Sequence, residues 1–345
     1  MNKKIQAGIL DLSFSMGQAR LDELMAFASR ENHKRGFLFV SKVLGKHIPV
    51  QPQKMREIYN ELALLCELNQ DAYIIGMSET ATGLGAGVAD SLARQNPRLN
   101  IYYQHTTRHQ LDYPLWFSLN ESHSHAVDHL LYEPDSQLKT EICATKQLIL
   151  VDDEISTGKT LLQLALGIIK KIPAIESLTI VTLVSWLKES DLAAFDKLGI
   201  PVKFIELIKG EFNFKANPDF NVQLPENIDK ALCTQKSRTD LGRLALKMPY
   251  QLKTSEFKAE NKACVVVGTG EHLYLPFLVA ETLSATTDVL FQSTTRSPIL
   301  EGDAIQHKIS FDNGAGKQHF IYNLPLDRKV FVLCENNSCP EQVLL

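Results

Sequence analysis

Missing from this 345-residue chain are a Cys-x-x-Cys pair, an apolar run long enough to span a bilayer, a strong excess of either charge and a glycine-rich ATPase loop. Each absence removes a class of protein. Six cysteines (66, 143, 233, 264, 334, 339), of which only the last two lie close together, exclude a tetrathiolate zinc site and a disulfide framework. Buried reduced thiols, suited to the cytoplasm, are the expected state. The longest nearly apolar runs, 161–169 and 178–187, reach about half of the ~20 residues a spanning helix needs, so no membrane segment is expected. With 36 basic against 40 acidic residues and a formal charge of -4, nothing draws the chain to duplex nucleic acid or an anionic membrane. The start, Met1-Asn2-Lys3-Lys4, is basic, but the apolar stretch behind it is cut by Asp11 and carries no small-residue cleavage site. A cytoplasmic protein is the expectation.

What is present is ordinary globular composition, 44% hydrophobic and 22% charged, in a length that suits roughly two domains of about 150 residues. Residues 1–70 show no run of strands. They hold a short strand at 37–40 and a helix at 52–68, where Met55, Ile58, Tyr59, Leu62, Leu65 and Cys66 fall at helical spacing. From residue 71 apolar strands at 72–75, 100–103, 147–151, 177–184 and 202–207 alternate with helices, one running through Leu92 and others at 158–170 and 191–198. That alternation implies an α/β fold, a parallel sheet with helices on both faces, whose binding site lies at the carboxyl ends of the strands. Residues 211–262 are polar and form a connecting region before a new strand at 263–267. The expected organisation is an N-terminal hood (1–70), a core (71–210), a linker (211–262) and a C-terminal domain (263–345).

The two halves repeat one another. Ile74-Ile75-Gly76 with Glu79 answers Val266-Val267-Gly268 with Glu271, and Tyr103-Gln104-His105-Thr106-Thr107-Arg108 answers Phe291-Gln292-Ser293-Thr294-Thr295-Arg296. His129-Leu130-Leu131-Tyr132 answers His319-Phe320-Ile321-Tyr322, and 148–151 answers 330–333. Four blocks in one order imply two copies of one α/β unit. The second lacks an acid pair and phosphate turn, having Cys334-Glu335-Asn336-Asn337-Ser338-Cys339 there. It keeps Glu271, Thr295, Arg296 and Ser297 as a degenerate site, for a ligand or for packing alone.

The most specific segment is LILVDDEISTGKT, residues 148–160. A buried strand ends in Asp152 and Asp153, and a small hydroxyl-bearing turn then enters a helix. That helix start offers free N–H groups and a positive dipole end to a phosphate. The carboxylates would repel a phosphate and suit sugar hydroxyls beside it, so one ligand bearing both a phosphate and a diol would satisfy the segment. An ATPase loop needs glycine where Asp153 stands, which excludes that reading.

In this segment the chain resembles the type I phosphoribosyltransferases, whose fingerprint is a hydrophobic strand, two acids and a Thr/Gly-rich turn. It looks closest to the orotate phosphoribosyltransferase-like family with a C-terminal TRSP domain, found in tellurite-resistance-type (ter) stress gene clusters. The words FLFVSKVLGKH (37–47), His123-Ser124-His125 and Thr295-Arg296-Ser297-Pro298 carry that closer likeness. The resemblance implies transfer of the 5-phosphoribosyl group of phosphoribosyl pyrophosphate (PRPP) to a base or base-like acceptor, with Mg2+, by a cytoplasmic homodimer. It makes Asp152 and Asp153 the ribose ligands and Ser156, Thr157, Gly158, Lys159 and Thr160 the 5'-phosphate cradle. Ser78, Glu79, Thr80, Ala81, Thr82 and Gly83 would form the pyrophosphate loop. Glu79 is a departure that suits only a magnesium contact or a side chain turned away.

Five of the ten histidines (105, 109, 123, 125, 129) crowd between strands. Arg108, His123 and His125 are candidates to close over the leaving group or move a proton; His123, His125, Asp128 and His129 are an alternative metal set; a solvated loop is the third reading. Arg35, Lys42, Lys46 and His47 are candidate acceptor or phosphate contacts, or a plain basic surface. The competing function class is a non-catalytic PRPP or nucleotide sensor, with hydrolysis of a nucleotide-like compound as a third.

Overall fold

A computed structural model describes residues 1–30, 35–120, 127–220, 233–234, 242–252, 262–312 and 318–335. Along the chain come β1 (Asn2–Ile5), β2 (Gly8–Met16), α1 (Leu21–Leu24), β3 (Met25–Ser29), β4 (Phe37–Ser41), α2 (Pro52–Leu65), β5 (Ala72–Gly76), α3 (Ala81–Gln95), β6 (Ile101–His105) and β7 (His109–Gln110). There follow β8 (Leu115–Asn120), β9 (Val127–Tyr132), α4 (Ser136–Cys143), β10 (Gln147–Ile155), α5 (Lys159–Lys171), β11 (Ser177–Ser185), α6 (Glu189–Ala193), β12 (Val202–Ala216), β13 (Cys233–Thr234) and β14 (Leu246–Met248). The last are β15 (Cys264–Gly268), α7 (Tyr274–Leu283), β16 (Val289–Ser293), β17 (Lys308–Asp312), β18 (Gln318–Tyr322) and β19 (Lys329–Leu333).

The chain divides into two compact units. A central unit comprises Arg56–Leu207 and Lys230–Leu252; a terminal unit comprises Met1–Met55, Ile208–Asp229 and Lys253–Leu345. The units cut across the sequence segments: residues 1–55 pack with the C-terminal residues, and part of the expected linker packs with the core.

The central sheet has the order β12-β11-β10-β5-β6-β14. Strands β11, β10, β5 and β6 are parallel, and β14 closes the β6 edge antiparallel. β5 is buried at all five residues, as a strand covered on both faces must be. Helix α3, rich in small residues, lies hard against it where Gly85 meets Gly76. A Cβ on Gly85 would stand 2.9 Å from the Gly76 Cα, and one on Gly87 would enter the Tyr59 ring. Helix α5 buries Leu161, Leu164, Ala165 and Ile168, one helical stripe, and exposes its lysines.

The terminal unit contains a three-stranded parallel sheet, β16-β15-β19. Its order matches β6-β5-β10, so the repeat in the sequence is a repeat in space. The match extends to single bonds. Met77 N donates to Val151 O (2.9 Å) as Thr269 N does to Leu333 O (3.2 Å), and Thr107 bridges Leu130 as Thr295 bridges Phe320. The Tyr132 hydroxyl donates to His109 O (3.0 Å) and accepts from Leu111 N (2.7 Å); the Tyr322 hydroxyl does the same between Ser297 O (2.7 Å) and Ile299 N (2.8 Å). Tyr103 and Phe291, Thr106 and Thr294, and His129 and His319 are thereby equivalent.

Two expectations about elements are corrected. Residues 1–70 carry four strands; β2 alternates buried Gly8, Leu10 and Leu12 with outward residues, a pattern that outward Ile9 disguises. The histidine-rich stretch after β6, for which a solvated loop is one reading of the sequence, holds the β8–β9 hairpin, paired from Leu115↔Tyr132 to Asn120↔Val127.

Candidate functional site

In a parallel sheet the loops that leave adjacent strands at their carboxyl ends converge. The register places Val151, Gly76 and His105 side by side at the ends of β10, β5 and β6. Just beyond this row lie Asp152-Asp153, Met77-Ser78-Glu79 and Thr106-Thr107-Arg108, three of the segments singled out from the sequence.

The strand β10 outruns β5 by four residues, from Asp152 to Ile155, with only β11 beside it. Asp152, Asp153 and Glu154 are half-buried on this extension, and Asp153 N donates to Asp152 Oδ1 (3.0 Å). Burial, followed by the adjacent Asp153 carboxylate, pushes the Asp152 carboxyl well above the usual carboxylate range. Ser156 and Thr157 are exposed, Gly158 is a left-handed residue (φ 66) capping α5, and Lys159 and Thr160 open that helix. Gly158 is required there: φ is positive, and a Cβ would press the Phe195 ring at 3.0 Å.

The loop after β5 is short. Met77, Ser78, Glu79 and Thr80 form it, with the Ser78–Glu79 peptide cis, while Ala81, Thr82 and Gly83 are buried in the first turn of α3. Thr106 anchors the loop: its Oγ1 accepts from Ser78 N (3.0 Å) and donates to Ser78 Oγ (3.3 Å). His129 Nδ1 lies 3.2 Å from Ser78 Oγ and 3.1 Å from Thr106 Oγ1. This histidine therefore braces the loop. Among the described residues no cluster of His, Cys, Asp and Glu forms a metal cage.

Arg108 is exposed three residues past β6, whereas His105 and His109 are buried, His105 Nδ1 being 2.9 Å from Thr106 O. His123 and His125 lie outside the described residues, as do residues 336–339 of the second copy. The cations ahead of residue 50 sit in the terminal unit. The Arg35 guanidinium stacks 4.8 Å from the Phe37 ring centroid, Lys42 Nζ donates to Asp22 O, and Lys46, buried, donates to Gly270 O (3.1 Å). His47 is buried 5.9 Å from the Tyr322 ring.

In the second copy Glu271, Thr295 and Arg296 are buried, and Ser297 Oγ accepts from Arg30 Nη2 (3.2 Å). The register puts Cys334 at the place of Asp152 and Glu335 at that of Asp153. Glu335 folds back over the loop: its Oε2 accepts from Glu271 N (3.2 Å), and its own N donates to Thr269 Oγ1 (2.9 Å). The Glu271 amide of that loop is thus taken by the chain's own carboxylate.

Sequence reasoning missed Arg243, the largest fully buried side chain among the described residues. The signal was available: Leu241-Gly242-Arg243 echoes Leu44-Gly45-Lys46, and both glycines take positive φ.

Two family models match the chain. Residues 24–211, more than half of it, match a family described as phosphoribosyl transferase, and residues 233–345 match the TRSP domain found C-terminal to that transferase. A comparison with curated proteins gives no match. Solved structures with a similar course include the Giardia lamblia adenine phosphoribosyltransferase complexed with 9-deazaadenine (17% identity, 56% of this chain and 98% of that one, TM-score 0.35). The Francisella tularensis orotate phosphoribosyltransferase (15%, 53% and 80%, 0.31) and a Staphylococcus aureus hypoxanthine phosphoribosyltransferase (17%, 48% and 79%, 0.25) are others.

Proposed function

Because the chain belongs to the phosphoribosyl transferase family, we propose that its central unit carries the active site for moving the 5-phosphoribosyl group of PRPP to a base, releasing pyrophosphate. The observation that supports this assignment of residues is the meeting of three loops at the ends of β10, β5 and β6. Asp152 and Asp153 accept hydrogen bonds from the ribose hydroxyls, the 156–160 turn holds the 5'-phosphate at the start of α5, and the 77–80 loop meets the pyrophosphate.

Breaking the bond from ribose C1 to pyrophosphate leaves positive charge on the sugar and negative charge on the leaving group. The chain needs no covalent nucleophile for this. Its work is to hold PRPP with C1 open to the acceptor and to set charges where the new ones develop. The half-buried acid pair faces the cationic sugar, while loop amides, with Arg108 at the rim, face the pyrophosphate.

No three of the described side chains form a cage for a metal of their own, so Mg2+ would arrive on the PRPP oxygens, with the Glu79 carboxylate as the one oxygen ligand the loop itself could add. Mg2+ carried in with PRPP would neutralise the pyrophosphate oxygens. The acceptor is a base of unassigned type, and the likeness to the ter-cluster family supports a nucleoside-like product used in stress responses. A cytoplasmic homodimer is part of the same reading. For the second copy, the Glu335 carboxylate over its loop supports packing rather than PRPP binding.

The test is to incubate the protein with PRPP, Mg2+ and a panel of purines, pyrimidines and hydroxylated acceptors and to follow pyrophosphate. Release with one acceptor, abolished in the folded Asp152→Asn, Asp153→Asn double variant, is expected. PRPP binding without release under every acceptor would favour the sensor, and full activity in the double variant would remove the acid pair from the site.

A further inference from the structure

The two copies are each completed by a segment from elsewhere in the chain, and the two segments are equivalent. In the central unit His105 N donates to Gly242 O (3.0 Å), and Leu246 pairs with Tyr103. In the terminal unit Ser293, the counterpart of His105, donates to Gly45 O (2.8 Å), and Val50 pairs with Phe291, the counterpart of Tyr103. Gly242 and Gly45 both take positive φ, 85° and 66°, and each lies against the aromatic ring of the strand it caps. The segment that precedes the first copy in sequence therefore completes the second, and the segment that precedes the second completes the first.

Each segment delivers one fully buried cation directly after its glycine, Lys46 to the terminal unit and Arg243 to the central one, both 1% exposed. The destination of Lys46 is explicit: its Nζ donates to Gly270 O (3.1 Å) in the loop after β15. Gly270 is the counterpart of Ser78, since Gly270 N donates to Thr294 Oγ1 (2.9 Å) as Ser78 N does to Thr106 Oγ1 (3.0 Å). Arg243 is also pinned at its own carbonyl, which accepts from Gln104 Nε2 (2.7 Å). A buried guanidinium must be met by acceptors or negative charge.

We propose that Arg243, which lies in the TRSP-matched part of the chain, is a positioning residue of the transferase site: it backs the 77–80 loop, holding its carbonyl side so that its amides and a fixed positive charge meet pyrophosphate. This rests on the reading of that loop as the pyrophosphate loop. It also explains why an acidic residue, Glu79, is tolerated there, because a permanent cation stands behind it. The TRSP-matched region is then part of the active site and not an appendage.

Binding to the full chain in Mg2+ tests this with three probes: PRPP, pyrophosphate and ribose 5-phosphate. The last reaches the acid pair and the 5'-phosphate turn but not the loop. Arg243→Met is expected to weaken pyrophosphate and PRPP at least tenfold and to leave ribose 5-phosphate within about twofold. Arg243→Lys, the residue type of the second copy, is expected to restore most of the loss. Should Arg243→Met not fold, Arg243→Gln keeps a donor for the loop and removes only the charge, with the same selective loss expected. Equal weakening of all three probes, or no weakening, in a folded variant overturns the proposal alone. Failure of the wild-type protein to bind either PRPP or ribose 5-phosphate overturns the functional reading itself.

Discussion

At Asp152 the needs of folding and of binding pull apart. Burial and the neighbouring carboxylates hold its carboxyl well above the ordinary value, so the folded protein resists its ionisation. A raised carboxyl contributes stability that is fully present below the unfolded value, near pH 4, and is lost as pH climbs through the folded value. At pH 8 the unfolded chain ionises this group freely while the folded chain resists it, so Asp152→Asn should raise Tm there, with the gain vanishing toward pH 4. Calorimetry at the two pH values checks this; a lower Tm at pH 8 contradicts it. PRPP binding should fall in the same variant, the usual exchange of stability for function. The adjacent acids were legible as Asp-Asp in sequence, but their crowding was not, because desolvation depends on what packs over the strand end. Cys66 is the opposite case: burial pushes its thiol up to about 12, so it should resist alkylation at pH 8 in the folded protein and react once unfolded.

At the scale of elements, the contact of α3 with β5 decides where the 77–80 loop sits. Gly85→Ala would drive a Cβ to 2.9 Å from the Gly76 Cα and 3.1 Å from Tyr103 Cε2, and none of these can yield without shifting helix or strand. A loss of about 1–3 kcal/mol in urea unfolding is expected, together with weaker PRPP binding. The outer side of α3 is held differently. Asp90, fully buried, takes Arg56 Nη1 (2.6 Å) from α2 and Arg94 Nε (2.8 Å) from its own helix. Asp90→Asn removes the carboxylate that both guanidiniums meet and should cost about 3 kcal/mol by the same measurement. The strands of the central sheet were readable because strands buried on both faces are short apolar runs. The β8–β9 hairpin was not, because its residues mix Trp116 and Leu130 with serine and histidine and carry two register shifts. β12 reads to Leu207 and in fact runs to Ala216, where it pairs with β2 across a shift at Lys209/Gly210.

For the whole molecule, duplication does not mean two equal sites. Titration should find one PRPP per chain, since Glu335 already occupies a loop amide of the second copy; two equal sites would contradict the packing role. By itself the sequence determined the α/β alternation, the acid pair with the small hydroxyl-bearing turn after it, and the existence of two copies. These are local facts, set by runs of apolar residues and by spacing along the chain. Only the tertiary structure decided which copy each capping segment completes. Gly45-Lys46 and Gly242-Arg243 each join a copy distant from it in sequence, and the hydrogen bonds that choose the partner, to Ser293 and His105, leave no periodicity in the chain to read.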